Sequence, residues 1–288
     1  MSILLALAAA VSFGTSDFLA LFLTKRIGTY RTLLYTQLPG LLGLSAYCVV
    51  SGVSFSASWQ TWAWTLALVV INLLSALAFY RSLQVGVASI TSPIVASYAA
   101  VAVLLSVLTG EVLSLSRGLG MSAALMGVAM TALPPSTTPE RQQEKKQNTW
   151  QTGVGLALIA ALGYGIAFWI LGARVTPQLG PIAPIWLIRV FTPCILIACA
   201  GLFRQSVRIP RGTVWWLIGA VSLFDTMGYV GTSSALATAT HIAIIGVLVS
   251  LYSAVTILLA WICLRERLQW SQWLGVGIIF VGIVLVNV

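Results

Sequence analysis

Charge is what this chain of 288 residues has least of. Asp and Glu number 6 and Lys and Arg 15, so that charged residues make up 7% of the sequence, against about 25% in a soluble domain. A surface that poor in charge cannot keep a monomer solvated in water. The shortage excludes a soluble globular enzyme, a nucleic-acid module and a disordered chain. The formal net charge of +9 does not point to nucleic acid, because the charges are too few and too scattered along the chain to make a phosphate-binding face. Histidine occurs once, at His241, which leaves little for a metal site or an acid–base pair. Cys48, Cys194, Cys199 and Cys263 lie in apolar runs with no C-x-x-C pair. They read as small buried hydrophobes, not as disulfides or metal ligands. A G-x-x-x-x-G-K-[ST] loop and a G-x-S-x-G elbow are both missing, so nothing signals an ATPase or an α/β-hydrolase. No enzyme, metal or cofactor is expected.

Hydrophobic residues are what is present, at 59% of the chain, with a mean hydropathy of +0.99. The runs are apolar on both parities, so a β-barrel does not fit. A membrane helix needs about 20 apolar residues. Ten stretches qualify, at roughly 2–23, 30–51, 58–80, 88–109, 115–133, 151–173, 183–203, 213–236, 241–263 and 269–287. Glycines, prolines (Pro177, Pro181, Pro184 and Pro210 among them) and tryptophans mark the links, as expected of span ends. Basic residues follow the first apolar run instead of preceding it, which suits an uncleaved first span. Residues 134–150, PPSTTPERQQEKKQNTW, are the polar exception. They divide the chain into 1–133, a charged linker at 134–150, and 151–288. The fold expected is an all-α polytopic membrane protein, ten transmembrane helices arranged as two inverted five-helix repeats.

The bases set the orientation. With the first helix starting outside, Lys25, Arg26, Arg31, Arg81, Arg141, Lys145, Lys146, Arg204, Arg208, Arg211, Arg265 and Arg267 fall on the cytoplasmic side. Only Arg117 and Arg174 fall outside. Short loops rich in Lys and Arg stay in the cytoplasm. Both termini are therefore expected outside and the linker inside, in a bacterial-type plasma membrane.

The two halves repeat. Glu111 precedes Gly120 by nine residues and Gly127 by a further seven, and Glu266 stands in the same relation to Gly275 and Gly282, 155 residues on. Gly14 matches Gly165, 151 residues on, which equates Phe13 with Tyr164 and Asp17 with Phe168. An offset of 155 also equates Tyr98 with Ser253. The glutamates read as capping or loop-fixing groups, or else as transport groups. The glycines read as packing sites or as a thinned cavity wall. With five spans per half, the second half must cross the membrane in the opposite sense to the first, an arrangement recurrent in transporters.

The pattern S-L-Y-x-A-V-T-x-L-L-A…E-R-L…Q-W-L-G…G-I-V-L around Ser250–Leu285 resembles the EamA-type permeases of the drug/metabolite transporter superfamily. So do SFGTSDFLA at Ser12–Ala20 and YRSLQVG at Tyr80–Gly86. Tyr98 and Ser253 stand where many members have proline. The resemblance implies a ten-helix carrier whose central cavity is lined by the first, third and fourth helices of each half.

Charges inside a span are costly and usually mark function. Asp17, Asp225 and Arg189 are the ones left after the interfacial groups. Asp17 and Asp225 read as ligands for a cationic substrate or a coupling proton, or as carboxylates satisfied by hydroxyls or by Arg189. Arg189 reads as a snorkelling or paired base. Aromatic and polar residues in the cavity-type spans complete the expected substrate site: Phe13, Asn72, Tyr80, Tyr98, Tyr164, Trp169, Tyr229 and Ser253. His241 reads as interfacial. The function expected is secondary transport by alternating access of a small amphipathic, aromatic or cationic metabolite or drug, as an exporter working as a monomer. The alternatives are a proton-independent facilitator of amino acids and a non-transporting membrane subunit or receptor.

Overall fold

In the computed structural model, described for residues 1–85, 88–112, 114–131, 143–202, 204, 205, 207–210, 212–264, 274, 275, 277, 278, 281 and 282, helices carry nearly all of the chain. No strand occurs among the described residues. The first half opens with α1 (Ser2–Ile27) and α2 (Thr29–Ser51), joined at Gly28 alone. Gly28 has φ 84°, a conformation that a side chain disfavours. Its N–H donates to the Thr24 carbonyl at 2.9 Å, and its own carbonyl accepts from the Thr32 N–H at 3.0 Å. One residue thus ends one helix and starts the next. Ser58 caps α3 (Trp59–Val85), its Oγ accepting from the Thr61 N–H at 3.3 Å. Then come α4 (Ala88–Ala96), α5 (Tyr98–Leu108) and α6 (Leu115–Thr131).

The second half has α7 (Gln143–Ile170), a π-helical turn at Leu171–Val175 and α8 (Thr176–Leu179) as one continuous rod. It continues with α9 (Ala183–Ala200), α10 (Val214–Thr238), α11 (Ile242–Ser250) and α12 (Tyr252–Leu264). Eight stretches among the described residues are long and apolar enough to cross a membrane. The 17-residue α6 occupies the place of the expected fifth span. The tenth expected span falls almost wholly outside the described residues, as do linker residues 134–142 and the Arg265–Glu266–Arg267 triplet.

Three boundaries differ from the sequence reading. The linker was expected to reach residue 150, yet α7 begins at Gln143. Helix propensity explains this, since the Gln-Glu-Lys-Lys-Gln stretch is made of good helix formers. The sixth span continues to Leu179 past Pro177, expected in a link. The wide π turn and a proline in the first turn of α8 need no lost hydrogen bond. The fourth and ninth spans are each broken, at Ser97 and at Leu251. There the Ser97 N–H donates to Ile94 O and the Ala100 N–H to Ser97 O. The Leu251 N–H donates to Leu248 O and the Ala254 N–H to Leu251 O. These are the same tight turns, 154 residues apart, and neither break contains a proline.

The packing between halves is reciprocal. The first helix of each half lies against the third helix of the other, α1 on α10 and α7 on α3. A Cβ placed on Gly14 would sit 2.6 Å from Tyr252 O and 2.5 Å from Val255 Cβ. One placed on Gly165 would sit 2.7 Å from Tyr98 O and 2.5 Å from Val101 Cβ. Only a missing side chain lets these backbones approach so closely, which settles the glycines as packing sites. The contacts pair Tyr98 with Tyr252, not with Ser253, so the offset here is 154 and not 155. Pro39 in α2 and Pro193 in α9 stand 154 residues apart as well. Large apolar side chains such as Leu42, Val50, Leu108 and Trp216 face outwards, as lipid contact requires.

Candidate substrate cavity

Between the halves lies a cavity of about 750 Å³, counting the space open to solvent. Its wall comes from α1, α3, α5, α7, α10, α11 and α12, with Leu171 of the π turn and Ile188 of α9. The structure brings eight of the ten expected site residues to it: Phe13, Asp17, Asn72, Tyr80, Tyr98, Tyr164, Asp225 and Tyr229.

Trp169 and Ser253 are not among them. Trp169 points away, its Nε1–H donating to Thr109 Oγ1 at 3.2 Å and its ring facing the Arg174 guanidinium, 5.5 Å from the centroid. Arg174 lies equally close to Trp64. Neighbouring residues on a helix point about 100° apart, so Phe168 takes the wall position in place of Trp169. Ser253 turns its hydroxyl back onto Ser250 O at 3.3 Å, and Tyr252 lines the cavity instead. The repeat had already equated Phe168 with the cavity residue Asp17, and the 154-residue offset equates Tyr252 with Tyr98. Phe79 and Thr232 on the wall carried no comparable signal.

Aromatic rings make most of the wall and touch one another in series. Tyr229 meets Phe13 edge to face at 5.1 Å, and Phe13 meets Tyr252 at 6.5 Å. Tyr252 stacks on Tyr98 at 6.4 Å and 18°, across the two helix breaks, and Tyr98 contacts Phe168 at 5.6 Å. Phe79 bridges Tyr80 and Tyr164 at 5.8 and 6.3 Å.

The two carboxylates differ in kind. Asp225 is bound by Arg189, Nη2 to Oδ2 at 2.6 Å. The same guanidinium donates from Nη1 to Gln37 Oε1 at 2.5 Å and lies over the Tyr229 ring at 5.4 Å. Arg189 is 1% exposed, and so is a paired base that does not snorkel. Gly40 leaves the room, since a Cβ there would come within 3.3 Å of Arg189 Nε. Asp17 accepts no hydrogen bond from the described residues, although it is 8% exposed and lies on the cavity wall. The wall therefore carries one neutralised carboxylate and one free one.

Glu111 is a helix cap. Its Oε1 and Oε2 accept from the Ala243 N–H at 3.3 and 3.4 Å, at the start of α11. His241 Nδ1 lies 3.3 Å from Glu111 Oε1, away from the cavity.

Comparison with known proteins agrees with this architecture. A crystal structure of another protein aligns over 100% of this chain and 98% of its own, with a TM-score of 0.76 at 16% identity. That likeness concerns the fold. Among curated proteins, no match was found. The profile of the EamA-like transporter family matches twice, over residues 1–133 and over residues 151–288. This multi-pass membrane chain belongs to the EamA-like transporter family.

Proposed function

We propose that the protein is a secondary transporter that moves a small organic cation with an aromatic or apolar body by alternating access. The observation that carries this reading is Asp17, a carboxylate without a protein partner on the wall of an aromatic cavity between the halves. An ion in such surroundings is costly unless neutralised. Either a bound cation or a proton meets that need, so the two compete for one site and exchange across the membrane. Aromatic faces attract organic cations in addition. Asp225 is neutralised internally by Arg189 and serves to hold the wall.

The reciprocal packing supports reading the halves as inverted repeats, the tenth helix completing the second. Alternating access then exchanges the conformations of the two repeats about the cavity. The charge bias supports a cytoplasmic linker and outward termini in a bacterial-type inner membrane. Where the proton gradient points inward across such a membrane, exchange of an external proton for a cytoplasmic cation makes the protein an exporter.

Flux of benzyltrimethylammonium, which cannot shed its charge, tests the reading in proteoliposomes with and without an imposed pH gradient. The gradient accelerates flux in the wild type, and Asp17→Asn abolishes that response. Full pH-driven flux in Asp17→Asn contradicts the carboxylate mechanism. Equal flux with and without the gradient would mean facilitated diffusion.

A further inference from the structure

We infer that Asn72 is a specificity-determining residue whose amide N–H group reads a hydrogen-bond acceptor on the transported cation. The inference deepens the cation reading above and rests on it. Asn72 lies on α3, 5% exposed, on the cavity wall. Its Oδ1 accepts from the Tyr229 hydroxyl at 2.9 Å. A carboxamide is planar and its nitrogen cannot accept a hydrogen bond. Fixing the oxygen on Tyr229 therefore fixes the direction of Nδ2. That nitrogen donates to no described residue.

The orientation is held from behind. Gln37 and Asp225 grip Arg189 at 2.5 and 2.6 Å, and Arg189 lies over the Tyr229 ring at 5.4 Å. Phe13 packs edge to face on the same ring at 5.1 Å. Arg189 and Phe13 thus both pack against the Tyr229 ring whose hydroxyl reaches Asn72. Nδ2 is not sealed from the open cavity, and a ligand that displaces water there without offering an acceptor leaves the donor unsatisfied, so a ligand that supplies an acceptor is preferred over one that does not. Asp17 and Asn72 give the cavity two opposite demands, a cation at one point and an acceptor at another. The ligand class is an amine or quaternary ammonium that also carries a carbonyl, ester or ether oxygen.

A matched pair of probes tests this by equilibrium binding to the purified full-length protein. Phenethylamine offers the ring and the cation, and phenylalanine methyl ester adds the acceptor. The wild type should bind the ester about tenfold more tightly, since a site built to hydrogen-bond rejects an analogue that lacks the partner. Asn72→Leu should remove the preference by weakening the ester about tenfold more than phenethylamine, and an unfolding midpoint at the wild-type value shows that the variant folds. Tyr229→Phe, which frees the amide to turn, should reduce the preference without abolishing it. An undiminished preference in Asn72→Leu overturns the inference. Equal binding of the two probes by the wild type, lost in Asp17→Asn, overturns the role of Asn72 and leaves the cation reading standing. Failure of the wild type to bind either probe, or binding indifferent to Asp17→Asn, contradicts the cation reading and with it this inference.

Discussion

Two aspartates that look alike in the sequence hold different positions. Asp225 is half of an ion pair whose arginine is buried and whose carboxylate is 17% exposed, so removing one partner costs at most about 3–5 kcal/mol, the figure for a fully buried pair. Arg189→Met should therefore lower the unfolding midpoint in detergent strongly. Arg189→Met combined with Asp225→Leu should restore part of the loss, because no uncompensated charge remains. If the double variant loses the sum of the single losses, the pair is not coupled. Asp17 has no partner to lose, so Asp17→Asn should unfold at the wild-type midpoint while losing benzyltrimethylammonium binding. Hydropathy alone showed that both aspartates are intramembrane. Which of them Arg189 would reach could not be read, because that depends on Gly40 and Gln37 of α2 opening a place beside α9. Trp169 and Ser253 were misplaced for a related reason. A hydrophobic span gives no rotational phase, and one residue along a helix is enough to turn a side chain out of the cavity.

At the level of elements, the close approach of helices governs the cavity. Gly14 against Tyr252 and Gly165 against Tyr98 bring each half's first helix onto the break in the other half's fourth span. Gly14→Val and Gly165→Val should each destabilise by about 1–3 kcal/mol or more, the usual cost of overfilling a packed site. Gly43→Ala, where nothing lies within 4 Å, should be neutral or slightly stabilising. Thermal unfolding of the three variants checks this, and a harmless Gly14→Val would contradict the packing. These glycines were legible as a repeat at an offset of 151. The breaks at Ser97 and Leu251 were not, since they form by i→i+3 hydrogen bonds without the proline that would announce them. Glu111 had two readings in the sequence, and the Ala243 N–H it accepts from decides for the cap.

For the whole molecule, composition was informative, because 21 charges in 288 residues leave few places for an aqueous surface. The same charges predict orientation. With the free Cys48, Cys194, Cys199 and Cys263 replaced by alanine, a cysteine introduced at Lys145 should react with an impermeant thiol reagent only from the cytoplasmic side, and one at Ser2 only from the outside. The reverse pattern would contradict the proposed orientation. The two-half design was readable from the repeated Glu–Gly spacing and the polar stretch between halves. The cavity was readable through the family resemblance and the intramembrane polar and aromatic residues, eight of which line it, but not its exact wall, because it arises where helices from both halves converge and no local pattern encodes that meeting. The central claim is that Asp17 holds the transported cation, and counterflow measures it directly. Proteoliposomes preloaded with unlabelled benzyltrimethylammonium should transiently accumulate the labelled cation with the wild type and fail to do so with Asp17→Asn. Counterflow by Asp17→Asn equal to that of the wild type would contradict the account.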